Sequence, residues 1–145
     1  MNRLQAPKGT IAVNLDKNEF SLREPLTGKM NVSAADGFDV DEIRVEIEVV
    51  EWTRATQNMN IGGSNRSVTA EENCKVHEGK VTLQGRMHLD NGFSQDFPFS
   101  MNLPTGVPPT YRGRNAKTTW KLKGVIAVKG RPDIVGHQME LQINY

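Results

Sequence analysis

Two alternating segments, joined by a proline-rich corner, constrain this chain more than anything else in it. Residues 97–104 read FPFSMNLP, and Phe97, Phe99, Met101 and Leu103 share one parity. Residues 118–128 read TTWKLKGVIAV, with Trp120, Leu122, Ile126 and Val128 on one face. A period of two buries one side of a strand and wets the other, whereas a helix would scatter these groups around its circumference. The intervening residues 105–115, TGVPPTYRGRN, carry Pro108, Pro109 and two glycines, which exclude a helix there.

The same signature recurs upstream and downstream. Ile43, Val45, Ile47 and Val49 alternate with Arg44, Glu46 and Glu48. Val50 and Trp52 then join the polar parity, which predicts either a bulge or an outer face that is covered at that end. Shorter alternations run through Ile11, Val13 and Leu15, through Met30 and Val32, and through Met139, Leu141 and Ile143. A weaker one passes through Val68, Ala70, Cys74 and Val76, and another through Val81, Leu83, Met87 and Leu89 with Gly85 as a kink. Phe20 and Leu22 make a short strand that Pro25 stops, and Asp90-Asn91-Gly92 is a hairpin signal. Eight or nine strands without a helix predict an all-β fold: one domain over residues 1–145, an immunoglobulin-like sandwich of two antiparallel sheets. Residues 53–66, TRATQNMNIGGSNR, are polar and glycine-bearing and are expected to form a long mobile loop.

Composition narrows the function. A single cysteine excludes an internal disulfide framework, so nothing requires an oxidising compartment. Residues 1–8 hold no apolar run, and no segment approaches the ~18 apolar residues of a spanning helix. The expectation is a cytoplasmic protein without membrane insertion. A net charge of +1 gives no general pull on nucleic acid, and none is expected as a partner. The charges are nonetheless segregated: residues 36–51 are mostly acidic, and residues 111–131 carry basic groups only. Lys121 and Lys123 are expected to stand across from Glu46 and Glu48 as cross-strand pairs. Arg112, Arg114 and Lys117 are freer, and are the candidate contacts for an anionic partner.

No catalytic or metal grouping emerges. Cys74 and His77 are three apart, which on a regular strand puts them on opposite faces, and the thiol is expected in the core. Glu71 and Glu72 likewise point apart, and His77, His88 and His137 lack metal-ligand spacing. Neither a phosphate-binding glycine loop nor a nucleophile elbow is present. The reading is of a protein that is not an enzyme, with no cofactor and no metal.

The central motifs resemble those of the arrestin family's N-terminal-type domain. That family has a strand of the form FPFSF-x-LP, here residues 97–104, then a proline-rich corner ending in Tyr and Gly, here Tyr111 and Gly113. A strand opening [YW]-K-[VL] follows, here Trp120-Lys121-Leu122. Residues 20–28 resemble the family's tyrosine–proline–glycine approach to its second strand, with Phe20 in the aromatic position. Ile43-Arg44-Val45-Glu46-Ile47 is similar to its I-R-x-I-x-V strand. The nearest likeness is to prokaryotic arrestin-like proteins of the sporulation-control type, and more distantly to retromer's arrestin-like subunit. Arrestins proper use two such domains, and no residue of their phosphate-sensing ionic cluster can be placed here.

The resemblance implies a scaffold or adaptor that binds a protein partner through a sheet edge or a sheet face. Edge strands also offer pairing of two copies, a homodimer. The alternative is a small-ligand or carbohydrate-binding sandwich using the 53–66 segment, with Asn60, Gly62, Gly63, Asn65 and Arg66 as its binding loop.

Overall fold

A computed structural model describes residues 5–145 of the chain. Three strands make a small antiparallel sheet: β1 (Gly9–Leu15), β3 (Leu26–Ala34) and β7 (Ser94–Met101), in the order β1-β3-β7. The large sheet follows the order β2 (Glu19–Ser21), β11 (Met139–Asn144), β9 (Ala116–Val128), β4 (Phe38–Ile61) and β5 (Ser64–Gln84). Three short strands lie off this path: β6 (Met87–Leu89) pairs β4, and β8 (Tyr111–Arg112) and β10 (Ile134–Val135) pair β9. Every pair is antiparallel except β11 with β2, where Ile143 runs parallel opposite Phe20. No helix long and apolar enough to cross a membrane occurs among the described residues.

The core lies between the two sheets, and the alternation built it as expected. Phe97, Phe99 and Met101 of β7 are buried together with Trp120, Leu122, Ile126 and Val128 of β9 and Ile43, Val45, Ile47 and Val49 of β4. Leu103, past the end of β7, is half-buried. Full burial of such side chains contributes about 1.5–3 kcal/mol each. Met30 and Val32 of β3 complete the facing layer with no exposure.

The proline corner is fastened rather than loose. Trp120 donates its indole N–H to the Pro108 carbonyl oxygen at 2.9 Å. Thr110 donates its amide to Ile143 O at 2.8 Å and its hydroxyl to Leu141 O at 3.1 Å, and that hydroxyl accepts the Ile143 amide at 2.9 Å. The prolines lack amide donors, so these neighbours carry the corner's attachment to β9 and β11.

Two irregularities set the strand parities. At Asp41 one residue of β4 is extra, because Val40 pairs Val128 while Glu42 pairs Ala127. That bulge switches the buried side from even positions, Phe38 and Val40, to odd ones from Ile43 onward. The expected kink at Gly85 separates β5 from β6, both of which pair β4.

Residues 53–66 are not a mobile loop: β4 continues to Ile61, Gly62 and Gly63 make the turn, and β5 starts at Ser64. Both glycines have positive φ, 61° and 83°, as a two-residue hairpin turn requires.

Candidate functional site

β4 and β5 outrun the sandwich. The last β4–β9 pair is Thr53 with Ala116, and one further bond, from the Arg54 amide to Asn115 O at 2.8 Å, ends the contact with β9. Beyond it eight residue pairs, from Arg54–Glu71 to Ile61–Ser64, continue as a two-stranded ribbon. At about 3.3 Å per residue the ribbon reaches about 25 Å past the sandwich. Among the described residues no second layer faces it, so the polarity of residues 53–73 reflects solvent on both sides rather than irregular backbone. Local bonds knit it: the Thr56 and Thr69 hydroxyls lie 3.2 Å apart, and Ser67 donates to Asn58 Oδ1 at 3.0 Å.

The candidate binding-loop residues are therefore redistributed. Asn60 and Asn65 face each other as a cross-strand pair, Gly62 and Gly63 form the tip, and Arg66 stands opposite Met59. Met59, Ile61 and Val68 are 42%, 47% and 40% exposed, and all three stand on the ribbon face that continues the core side of the sheet. Cys74 is exposed, not in the core as expected, because it lies on the edge strand β5, whose residues 64–76 are all exposed. A bulge at Val76 also overturns the parity argument for Cys74 and His77. His77 pairs Val49 and Cys74 pairs Glu51, so both lie on the same side of the sheet.

The candidate anion contacts gather at the ribbon's base, with partners already in place. Arg112 pairs across from Lys117, and its Nη2 lies 3.5 Å from Glu140 Oε2. The Lys117 ammonium lies 5.0 Å from the Trp52 ring centroid and the Arg54 guanidinium 5.9 Å from it. The Arg114 carbonyl accepts from Arg54 Nη2 at 3.5 Å. Trp52 is thus half-buried on the outer face under two cations, which accounts for its place on the polar parity of β4. Trp52 was noted from sequence only for its place on the polar parity, and Arg54 not at all; an aromatic beside a basic residue on a strand's polar parity was the available signal.

The acidic and basic stretches meet as expected. Glu46 pairs Lys123 and Glu48 pairs Lys121 across β4 and β9, with Lys123 Nζ 3.8 Å from Glu46 Oε1. Glu48 is reached instead by Lys75, at 3.3 Å. Glu46, Glu48, Lys121 and Lys123, with Glu78 and Lys80, line a shallow depression of about 240 Å³ on the outer face that mixes both signs of charge. At the same face Glu42 accepts from the Thr82 hydroxyl, from Lys80 at 3.1 Å and from Arg44 at 3.0 Å. The Thr82 bond first, then the two cations, hold the Glu42 carboxyl below its ordinary value. At the start of β4, His88 Nδ1 lies 2.7 Å from Asp39 Oδ1 and its Nε2 3.3 Å from Asp90 Oδ1, and the Asp39 bond raises its pKa. Both clusters sit in solvent or beside it.

Among the sheet edges, those of β7 and β5 contrast. β7 carries Pro98, which has no amide to offer a new strand. β5 has no proline in its 21 residues, pairs only β4 among the described residues, and is exposed throughout residues 64–74.

The arrestin (or S-antigen), N-terminal domain family model matches residues 10–143. Among solved structures, Spo0M, the sporulation control protein from Bacillus subtilis, is similar with a TM-score of 0.62 at 16% identity. The match covers 94% of this chain and 49% of that one, so the chain spans about half the length of its structural relative. The likeness is one of fold. No match is found among curated protein sequences.

Proposed function

The chain belongs to the arrestin N-terminal-domain family, and from that premise we propose that it is a non-enzymatic adaptor that docks protein segments on its β4–β5 ribbon. One observation carries the reading: eight residue pairs of β4 and β5 stand outside the sandwich with the β5 edge open. An open edge offers a row of backbone donors and acceptors to an extended segment, which can add as a further strand. Val68 and Met59 supply apolar contact beside that edge, and the cations around Trp52 supply a positive collar at the ribbon's base. Arg112, Arg114 and Lys117 fit an acidic flank of such a segment. A lone, exposed, unpaired Cys74 suits a reducing, cytoplasmic setting.

With residues 53–61 and 64–66 paired, there is no loop to order around a small ligand or glycan, and that alternative is set aside. The reading is tested by affinity capture from lysate of the source organism with the unmodified chain and with Thr69→Pro, which removes an edge-facing amide of β5 and leaves the bonds to β4 in place. Proteins held by the first, lost by the second and confirmed by direct binding support it. Identical captured sets contradict it.

A further inference from the structure

We infer that the free edge of β5 pairs with the same edge of a second copy, antiparallel about a two-fold axis at Thr69. This rests on the reading of the ribbon as a docking element and names its occupant. The axis of an antiparallel strand pair is perpendicular to the sheet, so each residue meets one from the same ribbon face. With the axis at Thr69, Arg66 stands opposite Glu72 of the second copy, and Glu72 opposite its Arg66. Val68 stands opposite Ala70 of the second copy, and the reverse.

These four residues share one face, because on β4 they pair with Met59, Thr53, Gln57 and Ala55, all at odd positions. Two opposite-charge pairs thus flank two apolar pairs, and Thr69 meets Thr69 on the other face, each a favourable cross-strand combination. Neighbouring symmetric registers lose this match. With the axis at Ala70, Val68 faces Glu72 and Arg66 faces Cys74; with the axis at Val68, Arg66 faces Ala70. A further shift, to Glu71, sets that carboxylate against its own copy. The sequence along this edge is self-complementary in one register.

The joined ribbons make a four-stranded sheet, β4-β5 followed by the second copy's β5-β4, and the edge that a lone chain leaves open is closed. A strand from another protein has no reason to match Arg66 and Glu72 at this spacing, whereas the chain itself does.

The test is the mass of the full chain in solution by sedimentation. The unmodified chain is expected at twice the chain mass. Glu72→Arg, or Arg66→Glu, raises the dimer dissociation constant by about tenfold or more, and the combined Arg66→Glu/Glu72→Arg chain recovers it. Thr69→Cys in a Cys74→Ser background forms a disulfide-linked dimer on mild oxidation, since opposed residues of antiparallel strands lie about 4.5–5.5 Å apart at Cα. The unmodified chain, with Cys74 alone, does not cross-link. All these positions are exposed and outside the core, so circular dichroism should match the unmodified chain. A monomer at every concentration, a dimer indifferent to both charge reversals, or no cross-link at Thr69→Cys overturns the inference. A monomer that still binds a partner lost on Thr69→Pro overturns only the second copy as occupant. The docking reading itself falls separately, if no Thr69→Pro-sensitive binding exists.

Discussion

Trp120 of β9 donates its indole N–H to the carbonyl oxygen of Pro108, 2.9 Å away, while its ring has no exposure at all. One side chain therefore anchors both the core and the corner that returns the chain from β7 to β9. Trp120→Phe keeps an aromatic ring but leaves the Pro108 carbonyl without its donor and a void beside it. Urea unfolding is expected to show a loss of about 1–3 kcal/mol.

Gly28 is held by close approach, not by turn geometry. A Cβ there would sit 2.5 Å from the Asn14 carbonyl oxygen and 3.1 Å from the Phe99 ring. The first neighbour is backbone of the paired strand β1, which cannot rotate away. Gly28→Ala should cost about 1–3 kcal/mol by thermal or chemical unfolding, as an added group in a packed interior does.

Glu42 makes the fold acid-sensitive. Its carboxyl is held below the ordinary value of 4.5 chiefly by the Thr82 hydroxyl, with Lys80 and Arg44 adding to the effect. A depressed native pKa means that its contribution is complete above the unfolded value and is lost as pH falls through the native one. Melting temperature measured downward from about pH 6 should fall below about pH 4.5. Glu42→Gln should be less stable at neutral pH and have a flatter acid limb; an unchanged acid limb would contradict the assignment.

The pair of Lys123 with Glu46 selects register more than it stabilises. Its atoms are 3.8 Å apart, and the two side chains are 35% and 30% exposed. A double-mutant cycle through Lys123→Ala and Glu46→Ala should give a coupling of about 0–1 kcal/mol that shrinks with added salt. A coupling of several kcal/mol would mean that the pair is far drier than its exposure states.

The sandwich was legible because each core strand carries its own alternation, and the Glu46–Lys123 and Glu48–Lys121 pairing followed from opposite charges on two such strands. Legibility ended where the alternation has no layer to face. Between Thr53 and Asn73 a strand with solvent on both sides has no reason to alternate, so polar residues that spell a loop in a compact domain here spell a ribbon. The Gly62-Gly63 turn was the remaining signal, two positive-φ residues between equal polar arms. Bulges hid the rest. Asp41 reverses the buried parity of β4, and Val76 brings Cys74 and His77 to one side, and neither insertion announces itself in residue type.

The most direct measurement is hydrogen exchange read amide by amide along residues 54–74. Protection of the amides of β5 that bond β4, with the alternate, edge-facing amides of residues 64–74 becoming protected as chain concentration rises, is the predicted result. Uniformly fast exchange through the whole segment at every concentration would contradict an ordered ribbon with a docking edge.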